Sequence, residues 1–171
     1  MWIDRSHFCG GTLITDQWVA TAAHCVDLHY KLIITRVYTR LLNLQYFRKH
    51  FSRVTVSLGD HNIKIFDESK NIFRKIRRII RFPTYDNNFI NGDMALLQLS
   101  DKVPISDTIR PACLPEDPEE TFGFAAGIIT GWGYTEKTKV LKPRPLTSDV
   151  LREAEVFILP QVGCCWLVTI F

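Results

Sequence analysis

Val54, Val56 and Leu58 alternate with Thr55 and Ser57 and stop at Gly59-Asp60, the two-residue period of a strand with one buried face. Similar short runs recur along the chain. Phe8 to Thr15 and Gln17 to Ala22 are apolar and β-branched, separated by the turn signal Thr15-Asp16. Ile72 to Phe82 mixes Ile and Phe with Arg and Lys, a strand with a charged outer side that Pro83 stops. Met94 to Leu99 has the pattern of a buried strand, Ile128-Ile129-Thr130 leads into Gly131-Trp132-Gly133, and Glu153 to Leu159 reads as one more strand. Pro104, Pro111, Pro115 and Pro118 punctuate a connector too rich in proline for a helix or a central strand. The pattern is all-β with long loops. Only Leu28 to Phe51 resists it: Leu32, Val37, Leu41 and Leu44 stand at near-helical spacing with Lys31, Arg36 and Arg40 between them. A short basic amphipathic helix is one reading there, diluted by the β-branched Ile33, Ile34, Thr35, Val37 and Thr39.

The composition, 46% hydrophobic and 23% charged over 171 residues, is that of a globular chain and excludes collagen, low-complexity disorder and a long coiled coil. No run approaches the roughly 18 apolar residues of a membrane span. The length suits one large domain or two small ones, and is short of the roughly 200–250 residues common in large all-β folds. The net charge of +3 conceals an asymmetry: residues 28 to 81 hold 13 Lys and Arg against Asp60, Asp67 and Glu68, a net of +10, and the remainder carries −7. That excess, interleaved with Tyr38, Tyr46, Phe47 and Phe51, fits either a patch for nucleic acid or a heparin-like anion, or a solvated cationic face. Met1-Trp2-Ile3-Asp4-Arg5 has no apolar core and is not a signal peptide. Five cysteines fit a reducing cytosol poorly, so they bind metal, are incidental, or belong to a chain whose secretory start lies elsewhere.

Cys9-Gly10-Gly11-Thr12-Leu13-Ile14 and Trp18-Val19-Ala20-Thr21-Ala22-Ala23-His24-Cys25 form the strongest local signal. His24 follows a strand-like run, and the small side chains of Ala22 and Ala23 leave room for an approaching substrate; a structural histidine is the competing reading. Fifteen residues separate Cys9 from Cys25, so a bridge between them would close a hairpin-sized loop and stabilise it by roughly 3 kcal/mol. Asp93 directly precedes the apolar Met94 to Leu97, which places a carboxylate where it is partly buried and needs a partner. Arg74 and Arg78 are candidates, as is a histidine.

These segments, with Leu58-Gly59-Asp60-His61-Asn62, Gly92-Asp93-Met94-Ala95-Leu96-Leu97, Arg110-Pro111-Ala112-Cys113-Leu114-Pro115 and Gly131-Trp132-Gly133, resemble the trypsin/chymotrypsin-like serine proteases in order and spacing. The resemblance runs over residues 7–160. It implies a double six-stranded antiparallel β-barrel, with the first barrel mostly present and the second incomplete, and 161–171 as a divergent tail. It implies proteolysis of polypeptide substrates, with His24 as general base and Asp93 as the acid that orients it. It further implies a Cys9–Cys25 bridge, partners outside this chain for Cys113 and for Cys164 or Cys165, and an extracellular setting without a membrane anchor. Nucleic acid is not expected as a partner, because no nucleic-acid module accompanies the charge.

Two departures stand out. His24 and Asp93 are separated by more chain than the family usually has, and the excess falls in residues 28–53, an atypical basic insert that is either a loop for an anionic partner or translated non-coding sequence. The Gly-Asp-Ser-Gly-Gly segment that supplies nucleophile, oxyanion donors and specificity pocket is not found, and none of Ser6, Ser52, Ser57, Ser69, Ser100, Ser106 or Ser148 has flanking glycines. The expectation is a serine endopeptidase by family that is inactive as this sequence stands, the alternative being a secreted, non-catalytic homologue that binds or regulates. No cofactor is expected. Asp60, Asn62 and Asp67, with the carbonyl of Ile65, resemble a calcium loop, but Lys70 stands where a further acid belongs, which fits a plain polar turn.

Overall fold

The structure is a computed structural model and describes residues 1–3, 6–27, 54–65, 71–86, 89, 91–117, 119–133 and 147–160. Among them the regular elements are nine strands and one 3-10 turn: β1 (Trp2–Ile3), β2 (Ser6–His7), β3 (Thr12–Leu13), β4 (Trp18–Thr21), the turn Ala23–Val26, β5 (Val54–Leu58), β6 (Ile72–Arg81), β7 (Ala95–Leu99), β8 (Ala126–Gly131) and β9 (Arg152–Phe157). The fold is all-β. The chain divides into two units, Met1–Asp60 with Ile65–Cys113, and His61–Lys64 with Leu114–Phe171.

The first unit is an antiparallel sheet of seven strands in the order β2-β1-β5-β6-β7-β4-β3. Laid flat, its edge strands would stand about 29 Å apart, from six spacings of about 4.8 Å. The edges are β2 and β3, and His7 is joined to Thr12 by residues 8–11 alone, a stretch that spans at most about 17 Å. The sheet must therefore curl towards closure. Its concave side is read directly from the sequence: Val54, Val56 and Leu58 of β5 are buried while Thr55 and Ser57 are not, and Ala95, Leu97 and Leu99 repeat the pattern in β7. Val19 of β4 stands opposite Leu97, and these with Leu13, Ala23, Val26, Val103 and Ile109 form one core. Gly11 permits the close approach of the connection to β4, since a Cβ there would lie 2.8 Å from Val19 Cγ1.

Most strands fall where the apolar pattern predicts, with tighter limits. Of Phe8 to Thr15 only Thr12–Leu13 is strand, because the residues before it make the crossing between the two sheet edges. Met94 is 54% exposed and precedes β7 rather than opening it. A β-bulge in β6, between the pairs Ile76–Leu99 and Arg78–Gln98, is not encoded in any period of two.

In the second unit β8 and β9 pair in antiparallel register from Ala126–Phe157 to Gly131–Arg152. A bridge joins Asn62 to Val150, and Trp132 Nε1 donates to the carbonyl of His61 at 2.8 Å. The basic segment 28–53 and residues 161–171, with Cys164 and Cys165, lie outside the described residues.

Candidate active site

β4 and β7 are hydrogen-bonded neighbours, and their register sets Thr21 opposite Ala95. His24 lies three residues past the end of β4 and Asp93 two residues before the start of β7, so antiparallel pairing delivers both to the same rim although 69 positions separate them. Ala22 remains extended, and the chain then tightens into the 3-10 turn Ala23–Val26, where Ala23 is fully buried and His24 projects. On the other side Gly92 adopts a positive φ of 60°, and the Met94 N–H donates to its carbonyl at 2.6 Å. A Cβ at Gly92 would lie 2.8 Å from Phe82 Cδ1, so this turn requires glycine for space as well as for conformation.

The Asp93 carboxylate meets His24 twice. His24 Nδ1 lies 2.7 Å from Oδ2, and the His24 backbone N–H donates to Oδ1 at 2.8 Å. Burial by itself raises the Asp93 pKa. The hydrogen bond from the His24 ring, the backbone N–H of His24, the histidine's charge and the backbone N–H of Ala23 together outweigh it and hold the carboxyl below its ordinary value. An ionised carboxylate can only accept, so Nδ1 carries the proton and Nε2 of the neutral ring is the basic nitrogen. The side chain of His24 is 40% exposed and that of Asp93 20%, which leaves the ring accessible and its partner sheltered. Neither cationic alternative pairs with Asp93 among the described residues: Arg74 Nη1 donates to the Phe73 carbonyl, and Arg78 is exposed on β6.

Cys9 and Cys25 form a disulfide. It ties the segment that crosses between the sheet edges to the turn bearing His24, and Cys25 Sγ lies 3.5 Å from His24 Nε2. Cys9, His24 and Cys25 cluster closely enough to suggest a metal, yet both sulfurs are bridged and no thiolate remains to bind one. Cys113 is an exposed free thiol.

Three residues that sequence reasoning missed form a polar cluster at the end of the His24 turn. Asp27 ends the 3-10 turn and is buried, its carboxylate 3.5 Å from Arg81 Nη1 and hydrogen-bonded by Tyr85. Burial, the charge of Asp27 and then the charge of Asp93 raise the Tyr85 pKa, the Asp27 hydrogen bond adds to this, and Arg81 opposes it. The Tyr85 hydroxyl thus lies within the field of both carboxylates. An acid three residues after His24 was the available signal; Arg81 ends β6 and Tyr85 follows it, and no local pattern joins them to Asp27.

Of the calcium set, Asp60 accepts from Ser57 Oγ at 2.7 Å and from Asn71, Asn62 accepts from the Lys64 N–H, and Asp67 lies outside the described residues.

A family model described as Trypsin matches residues 2–165. The chain is similar to Serine protease 1 of Rattus norvegicus, 33% identical over 160 residues, which covers 92% of this chain and 51% of that protein. It is similar to Serine protease 1 of Homo sapiens at 32% over 158 residues, with the same coverage, and to human Trypsin-3 at 35% over 156 residues, covering 88% of this chain and 41% of that protein. The chain spans about half the length of these relatives, or less.

Proposed function

The chain belongs to the trypsin family, and from that membership we propose that it serves serine-type peptide-bond hydrolysis, with His24 as the general base and Asp93 as the acid that orients it. The 2.7 Å hydrogen bond between His24 Nδ1 and Asp93 Oδ2 carries this reading. It keeps the proton on Nδ1 and so presents the basic Nε2 to a serine hydroxyl. When Nε2 takes the hydroxyl proton, the ring becomes a cation beside an ionised carboxylate, which stabilises it. The same nitrogen then returns the proton to the leaving amine. Cys25 Sγ, the neighbour of Nε2, is a disulfide sulfur and has no proton to exchange in this cycle.

The 171 residues contain no Gly-Asp-Ser-Gly-Gly segment, and none of their seven serines has the glycine neighbours that supply oxyanion donors. We therefore expect the 171-residue chain by itself to be inactive. Its substrates are polypeptides, and the Cys9–Cys25 bridge supports an oxidising, extracellular setting. No helix among the described residues is long and apolar enough to cross a membrane. The serine inventory also favours a second reading, a secreted homologue that binds protein without cutting it. An anionic partner at residues 28–53 belongs with either.

A serine-directed fluorophosphonate probe is the direct test. The 171-residue chain should remain unlabelled, and labelling abolished by a single Ser→Ala change would refute its inactivity. Sequencing the full-length transcript separates the two readings: a Gly-Asp-Ser-Gly-Gly segment read after Val156 supports the enzyme, whereas a complete and different continuation leaves only the binding homologue.

A further inference from the structure

We propose that the outer face of β6 is a docking surface for a linear sulfated polysaccharide, built on Lys75, Arg77 and Arg78. The strand carries five cations in ten residues, Ile-Phe-Arg-Lys-Ile-Arg-Arg-Ile-Ile-Arg. Regular alternation would send Arg77 and Arg78 to opposite faces. The β-bulge between Ile76 and Arg78 changes that, and both arginines are exposed, as is Lys75. Two strand residues advance about 6.6 Å, so the three cations line a row about 10 Å long. Their cross-strand neighbours are uncharged: Thr55 stands opposite Lys75 and Gln98 opposite Arg78.

Among the described residues the acids near this row are engaged elsewhere. Asp16 pairs with Lys102, Asp27 with Arg81, Asp93 with His24 and Asp107 with Arg110, while Asp60 and Asp101 accept from serine hydroxyls. Among the described residues no ion pair reaches Lys75, Arg77 or Arg78. Uncompensated cations in a line suit an extended polyanion, with the planar guanidinium forks engaging sulfate oxygens in pairs. One observation favours a sulfated glycan over nucleic acid: the Cys9–Cys25 disulfide belongs to oxidising compartments. The surface is separate from the His24–Asp93 pair, so the proposal stands whether or not the chain takes part in hydrolysis.

Immobilised heparin tests it on the 171-residue chain. Lys75→Gln/Arg77→Gln/Arg78→Gln should elute at lower salt and bind heparin at least about tenfold more weakly, as expected when three counterion-releasing contacts are lost. Lys64→Gln/Lys102→Gln/Arg110→Gln removes the same charge from side chains already paired with Asp149, Asp16 and Asp107, and should elute with the unmodified protein. An equal shift in that control, or retention lost only when Arg36, Arg40 and Arg48 are neutralised, would overturn the assignment. Tighter binding of a DNA duplex through the same three residues would overturn the partner class. Acetylation footprinting of the unmodified chain needs no variant: heparin should protect Lys75 and leave Lys102 reactive, and equal protection of both counts against the site.

Discussion

Asp93 holds its charge in a sheltered position because three groups of one short turn face it: the imidazole of His24 and the backbone N–H groups of His24 and Ala23. The direction of that shift fixes a pH dependence. A carboxyl whose pKa is lower folded than unfolded contributes stability above its unfolded value, about 3.9, and loses it as the pH falls through the folded value. The thermal midpoint of the protein should therefore drop as the solution is acidified below about pH 4, and Asp93→Asn should flatten that limb. Equal acid limbs in the two proteins would show that Asp93 is not held down by His24. Much of this pair was legible in the sequence, since Asp93 abuts an apolar run and His24 is flanked by alanines and a cysteine. Asp27 was not, because its partners Arg81 and Tyr85 become neighbours only after β6 has taken its place in the sheet.

The elements with a clean alternation, β5 above all, follow from the sequence because each inward position is a branched aliphatic and each outward one a hydroxyl. β6 shows where that logic ends. Its inward residues Ile72, Ile76 and Ile79 do not keep a spacing of two, and the bulge that reconciles them depends on pairing with β7 rather than on β6 itself. The turn before β7 is equally dependent on its surroundings. Gly92 has both a positive φ and Phe82 against its missing Cβ, so Gly92→Ala should cost about 1–2 kcal/mol of stability from backbone strain alone, with the Phe82 contact in addition. Gly10→Ala, at a position with nothing within 4 Å, is the matched control and should differ from the parent by less than about 0.5 kcal/mol. Urea unfolding of the three proteins measures both. A Gly92→Ala protein as stable as the parent would mean that the turn carrying Asp93 can rearrange.

At the scale of the molecule the Cys9–Cys25 bridge links the crossing between the sheet edges to the turn of His24. Cys9→Ser/Cys25→Ser should lose roughly 3 kcal/mol, the loop-closure entropy of a ring of this size, and denaturation of the parent with and without reductant should reproduce that loss. Identical midpoints in reductant would show that the sheet closes without its bridge. The β4–β7 register has a consequence for the order of events during folding. Cys9 and Cys25 are 16 positions apart and can meet while the chain is still short, whereas His24 waits for a partner 69 positions on. A polypeptide emerging in order can thus close its sulfur ring well before the strand that brings Asp93 exists. Until β7 arrives, Val19 lacks the neighbour that covers it, so the nascent chain passes through an interval in which an oxidised hairpin with an open apolar side is what a chaperone would meet.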